Sequence, residues 1–241
     1  MKSEEAEVKT RRHEPIASSG HFVFMLLIQA GLIAYGFYLQ HRSEGGGSVL
    51  PQNRNILPLY LSILALEWGW VATVRGAVHN KGLSLWDVIG GRWRNWRDVL
   101  LDVAIAIPFL AVWESSASVM HRMLGPDSAK SVGTILPRDW YEIVLWVAVS
   151  ISAGICEEIV FRGYFQKQLA AYTGSMVVAV VLQGILFGMG HSYQGMKQMV
   201  IISVLGILYG AFAGWRGNLR SNMIAHAWTD IWSGWLSRVL S

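Results

Sequence analysis

Residues 140–162 read WYEIVLWVAVSISAGICEEIVFR. From Ile143 to Cys156 there is no charged side chain, and the stretch ends in two adjacent glutamates and an arginine. A bilayer core needs about 20 mostly apolar residues to be crossed as a helix, and this stretch has that length. Working outward from it, six further segments have the same character: Phe22–Leu39, Ile56–Val74, Asp98–Met120, Gly174–His191, Gln198–Trp215 and Ser221–Leu236. The chain of 241 residues is 53% hydrophobic and only 15% charged, against about 25% charged in soluble domains. With 12 Trp and 25 Gly but 6 Pro, the composition excludes disorder and collagen, and the single cysteine, Cys156, excludes an internal disulfide scaffold. The expectation is an all-α, polytopic transmembrane helix bundle of about seven to eight spans.

Residues 1–20 mix both signs of charge and read as a polar, solvated tail. Phe22–Leu39 is too long for a signal-peptide core, and no A-x-A cleavage site follows it, so it reads as a retained anchor. Ser43–Asn55 is a loop by its glycines and proline. Asp102, Pro108 and Glu114 interrupt the third span and predict a kink or tilt there. Across residues 81–97, Trp86, Trp93 and Trp96 interleave with Arg92, Arg94 and Arg97. This pattern predicts an interfacial helix on an anionic membrane surface, not a nucleic-acid contact, because membrane spans flank it. With the N-terminus placed in the cytoplasm, thirteen of the 20 Lys and Arg residues fall on the inner side, which favours that orientation. The division read from this pattern is a tail over 1–20, membrane helices over 21–139 with an interfacial segment near 81–97, and a second set of spans over 140–238.

Ionisable residues inside spans are expensive and are functional hypotheses by default. Glu158 and Arg162 are four apart, share a helix face and can pair. Glu157 points about 100° away and has no partner in its own helix; a carboxyl so placed is a candidate general base. Phe187 and His191 share a face of the fifth span, with Gln183 on the same stripe and Gly184, Gly188 and Gly190 permitting close helix approach. Asn222, His226 and Asp230 form one polar stripe on an otherwise apolar helix, which belongs in the bundle interior. Gly206, Gly210 and Gly214 mark tight helix packing. Glu67 is a further intramembrane acid, expected to hydrogen-bond to a facing helix.

In order along the chain, Glu157-Glu158-x-x-x-Arg162, Phe187-x-x-x-His191 and His226-x-x-x-Asp230 closely resemble the signature of the CPBP family of intramembrane proteases. That family includes the type II CAAX prenyl endopeptidases and the bacterial bacteriocin-immunity (Abi) proteins. The resemblance spans roughly Trp140–Arg238. It implies a glutamate-based endopeptidase within a helix bundle, acting on a peptide or lipidated-peptide substrate in the membrane. By that resemblance Glu157 is the general base and His191 holds and polarises water. His226 with Asp230 stabilises the oxyanion, while Glu158, Arg162, Phe187 and Asn222 support the site. Many members have Asn where this chain has Asp230, which opens a second role for that residue, orienting His226. No cofactor is expected. The alternatives are a zinc metalloprotease using His191, His226 and a carboxylate, and a non-catalytic membrane immunity or binding protein of the same fold. The expected location is a bacterial inner membrane. One conflict stands in this reading. Seven spans put Glu157 and His226 in the cytoplasmic half but His191 near the opposite end, so the fifth helix must be tilted or shifted, or the topology must differ.

Overall fold

Each apolar run becomes a helix whose ends are set by local chemistry. The computed structural model describes residues 14–44, 55–125 and 135–239, and among these there is no strand. The helices are α1 (Ser19–Glu44), α2 (Leu57–His79), α3 (Leu85–Ile89), α4 (Trp96–Met123), α5 (Trp140–Glu157), α6 (Gln166–Thr173), α7 (Met176–Gly190), α8 (Met196–Arg216) and α9 (Arg220–Val239). A π-helical segment, Glu158–Phe165, joins α5 to α6, and a 3₁₀ turn, Ser192–Gln194, joins α7 to α8. Asn95 and Ser175 cap α4 and α7 through side-chain oxygens, and Asp139 caps α5 in the same way. Gly174 and Gly217 end α6 and α8 in the left-handed region, at φ 68° and 67°.

Five segments are long and apolar enough to cross a membrane: Ser19–Arg42, Leu57–His79, Trp96–Met123, Trp140–Thr173 and Met196–Arg216. The chain is a helical membrane bundle, as expected, but two of the seven expected spans fall short of that standard. At 1.5 Å per residue, the 15 residues of α7 reach only about 22 Å against a core of about 30 Å. α9 falls short in apolarity, because it carries Arg220, Asn222, His226, Asp230 and Arg238, of which Asn222 and His226 are buried in the protein.

Several boundaries differ from expectation. Of the supposed solvated tail, residues 1–13 lie outside the described residues, but Ala17 is buried, and its backbone N–H and C=O pair with the side-chain amide of Gln168 at 3.2 Å each. The first helix runs five residues past Leu39, to Glu44; the rest of the expected loop, 45–54, lies outside the described residues. α4 continues through Pro108 without a break.

The segment 81–97 is not a continuous helix. Leu85–Ile89 is helical, and the next helix starts only at Trp96; the short helix opens with a capping box in which Asp87 N donates to Ser84 Oγ and Ser84 N to Asp87 Oδ2, with Ser84 Oγ also donating to Oδ2. Those bonds hold the exposed Asp87 carboxyl below its ordinary pKa. Gly90 and Gly91 then take φ 89° and 102° and break the helix. Gly90 is required for a second reason: a Cβ there would lie 2.7 Å from Asn218 Cα. The turn thus packs on the α8–α9 connection, and Leu219 N donates to Ile89 O at 2.8 Å. Trp86, Trp93 and Trp96 all remain exposed, and Arg92 stacks 4.7 Å over the Trp86 ring.

Asp102 is a tie point, not an interruption. Its carboxylate accepts from Arg216 Nη2 (2.9 Å), Arg220 Nε (2.8 Å), Ser221 Oγ (2.8 Å) and Trp93 Nε1 (2.8 Å). Four donors compensate its burial and fix where α9 begins. Because α9 carries His226 six residues further on, this cluster sets the position of the site from outside it.

Of the glycines read from the sequence as packing residues, Gly184, Gly188 and Gly206 act that way, whereas a Cβ on Gly214 would meet only Gln166 Nε2 at 4.0 Å. A Cβ on Gly206 would stand 2.8 Å from Gly184 Cα and 2.9 Å from Gly184 O, and one on Gly188 would meet the Ser203 backbone N at 2.5 Å. α7 and α8 therefore touch backbone to backbone. Gly206→Val is expected to lower the Tm of the detergent-solubilised protein by about 5 °C or more, from overpacking of ~1–3 kcal/mol. Gly31→Ala, where a Cβ meets nothing within 4 Å, should leave Tm unchanged or raised. Equal behaviour of the two variants would contradict this packing.

Candidate active site

Glu157 is the last residue of α5 and Glu158 the first of the π-helical segment. A π-turn is uncommon and recurs at functional sites. Here both glutamates turn to the same imidazole. Glu158 Oε1 lies 2.8 Å from His226 Nδ1, while Glu157 Oε2 lies 3.6 Å from His226 Nε2. Asp230 Oδ2 lies 3.7 Å from that same Nε2. The two adjacent carboxyl groups address opposite edges of one ring.

Glu158 is fully buried and carries three partners. Besides His226 it pairs with Arg162, Nη1 standing 2.9 Å from Oε1, and accepts from Asn222 Nδ2 at 3.2 Å. The expected Glu158–Arg162 pair is present, but Glu158 also anchors His226, which spacing along one helix does not reveal. Asn222 donates in addition to Tyr209 O at 2.8 Å. The Arg162 guanidinium sits between aromatic faces, 4.3 Å from the Phe187 centroid and 5.2 Å from that of Tyr209. Phe187 is buried against it and meets the His226 ring edge-on. Cation–π contact is strongest when water is excluded, and Arg162 is buried.

The carboxylate of Glu158 accepts from His226 Nδ1, so the ring proton stands on Nδ1. Nε2 then faces Glu157 and Asp230. At 3.6 and 3.7 Å neither contact is a direct hydrogen bond. Asp230 is held by its backbone as well, since Trp146 Nε1 donates to Asp230 O at 2.7 Å.

His191 stands at the C-terminal end of α7. Its Nδ1 lies 2.9 Å from Phe187 O. A carbonyl can only accept, so this nitrogen carries the proton and Nε2 is the basic one in the neutral ring. His191 and Glu157 line one cavity of about 500 Å³, whose walls come from α1, α2, α5, the π-helical segment and α7. The wall is mostly apolar and includes Leu32, Leu66, Trp70 and Phe161.

The depth conflict resolves in the length of the fourth helix. It does not end near Arg162 but continues through the π-turn to Thr173. Glu157 then stands 17 residues before Gly174 and His191 17 residues after it. In a helical hairpin turning at Gly174, equal counts bring the two to about the same height.

Glu67 is the residue whose place was least legible. It accepts from Ser152 Oγ at 2.6 Å, as expected of a bond to a facing helix, and it also lines the cavity of Glu157 and His191. The signal was the acid itself within an apolar span; nothing in its own helix points to the site. Among the described residues, no group of three or more His, Cys, Asp or Glu side chains is arranged to hold a metal ion.

The fold and site together define a polytopic helical membrane protein with Glu157 and His191 at the wall of a mostly apolar cavity and Glu158 and His226 packed behind Glu157. Residues 139–232 match the family described as Type II CAAX prenyl endopeptidase Rce1-like. That match covers the stretch that carries the three motifs and agrees with the resemblance they show to the CAAX-protease group. No curated protein and no solved structure matches the chain.

Proposed function

We propose that this chain is an intramembrane glutamic endopeptidase in which Glu157 and His191 activate water against a peptide bond of a membrane-associated substrate. One observation carries the reading: Glu157 faces the cavity alongside His191 while lying 3.6 Å from His226. Glu157 takes a proton from water, and His191 Nε2 accepts a hydrogen bond that orients the same water. The oxygen attacks the substrate carbonyl, the C–N bond breaks, and the proton held by Glu157 passes to the leaving amine. Charge developing on the carbonyl oxygen needs a donor. When the His226 ring carries its second proton, Nε2–H is that donor. Asp230 either donates as the protonated acid or accepts from His226 and orients it. Glu158, Arg162, Phe187 and Asn222 hold His226 and the π-turn in place.

The membrane helices over 21–139 supply one wall of the cavity, and 140–238 supplies the catalytic groups. The N-terminus is assigned to the cytoplasmic side by the distribution of basic residues, in a bacterial inner membrane. A lipidated or unlipidated peptide is the partner class, and no metal takes part. The zinc alternative is disfavoured because His191, His226 and an acid are not grouped as ligands. Cleavage by the purified protein is expected to persist within about twofold in EDTA or o-phenanthroline. Loss of cleavage with chelator, restored by stoichiometric zinc, would replace this mechanism with a metal-dependent one.

A further inference from the structure

We infer that α1 positions His191, with Ser192 as the positioning residue: α1 grips the end of α7 on both sides of the histidine and thereby fixes which ring nitrogen is basic. This role rests on reading His191 as the group that orients water. It gives a part in the site to a helix outside the stretch matched by the family, residues 139–232.

Two hydrogen bonds make the grip. Before His191, the buried Gln29 sends Nε2 to Leu186 O at 2.8 Å. After it, the fully buried Ser192 donates Oγ to Ile33 O at 3.0 Å. Gln29, Ile33 and Gly36 stand at i, i+4 and i+7 and so share one face of α1. That face meets the α7 end at glycines. A Cβ on Gly36 would overlap Ser192 Oγ and stand 3.1 Å from Tyr193 N, and a Cβ on Gly190 would stand 2.9 Å from Gln29 Nε2.

The grip reaches the imidazole through the backbone. A regular α-helix gives the His191 N–H to Phe187 O, four residues back. Here His191 N donates to Gly188 O at 3.0 Å instead, as the chain tightens into the 3₁₀ turn Ser192–Gln194. Phe187 O is left to the ring, whose Nδ1 stands 2.9 Å away. That bond keeps the ring proton on Nδ1 and leaves Nε2 free to accept from water. The tie from Ser192 to Ile33 O holds the turn in this form. Once the tie is cut, the His191 N–H competes with the ring for Phe187 O, and the proton is no longer confined to Nδ1.

The test is nitrogen NMR of the full chain, histidine-labelled and detergent-solubilised, at a pH where the ring is neutral. The His191 signal is assigned by its absence in His191→Gln. Wild type is expected to show the Nδ1–H tautomer alone. Ser192→Ala removes the bond without adding bulk, and Gly36→Ala displaces the hydroxyl. Each should move about a third or more of the His191 population to the Nε2–H form. Gly31→Ala lies on the same helix with nothing within 4 Å of its Cβ, and it should leave the spectrum unchanged. Because Gly36 lines the cavity, kinetics are read in Ser192→Ala: kcat should fall about tenfold with KM within about twofold. A Tm loss in Ser192→Ala with the His191 tautomer unchanged would reduce the contact to packing and overturn the inference. That holds even if Gly36→Ala fails to fold. A shifted tautomer with cleavage unaffected, or wild-type protein that cleaves nothing, would end the water-orienting role of His191 and leave its positioning by α1 standing.

Discussion

Glu157→Gln is expected to lower peptide hydrolysis by a factor on the order of 10²–10⁴, the usual contribution of a positioned general base, with folded yield and Tm unchanged. The amide keeps the shape of the side chain and removes only the ability to take a proton. Glu157 carries little of the packing: its side chain is 24% exposed, toward the cavity, and its nearest charged neighbour, His226 Nε2, is 3.6 Å away. The measurement is kcat/KM on a membrane peptide substrate, beside size-exclusion yield and thermal unfolding. In cells the same comparison reads as peptides with altered C-termini in membrane proteomes of wild type against Glu157→Gln. Full activity in Glu157→Gln would exclude it as the base. No cleavage by either protein, with a cellular phenotype that survives the substitution, would identify a non-catalytic member of the fold.

Glu158→Gln has the opposite profile. Its carboxylate is fully buried and faces Arg162, His226 and Asn222 at once. Removing the charge leaves Arg162 buried among Phe187, Tyr209 and backbone carbonyls without its anion. Breaking a buried pair from one side destabilises by about 3–5 kcal/mol. The expected result is a large loss of folded yield and a Tm lower by about 10 °C or more. A paired replacement, Glu158→Gln with Arg162→Met, should recover part of the yield, because the uncompensated charge is gone, while His226 still lacks its anchor and activity stays low. Equal yields of the Glu157 and Glu158 single variants would defeat this division of roles.

These two residues are adjacent, and the different surroundings of their carboxyl groups, one facing the cavity and one buried against Arg162, show how much was legible from the sequence. A buried arginine four residues from Glu158 predicts their pairing, since helix geometry places i and i+4 on one face. The polar stripe Asn222–His226–Asp230 likewise had to face inward, because a lipid face does not tolerate it. Apolar runs set the class, a helical membrane bundle, and the order of three motifs carried the resemblance that residues 139–232 bear out. All of this is local information, carried by spacing within single helices.

What tertiary structure alone decided lies between helices. The π-turn at Glu158–Phe165 has no signature in the apolar pattern, yet it lies where both glutamates meet opposite nitrogens of His226. The extension of the fourth helix to Thr173 was hidden because Arg162 and Lys167 look like a membrane boundary; Arg162 is instead neutralised within the protein, and Lys167 reaches the carbonyls of Asp87 and Val88. That extension is what brings His191 level with Glu157. Asp102 looked like a flaw in a span because its four donors come from residues 93, 216, 220 and 221, three of them far along the chain. Glu67 reads as an isolated acid until α2 packs beside α5 and puts it in the cavity of the base. Periodicity reports which face of a helix is buried; only packing reports what that face meets.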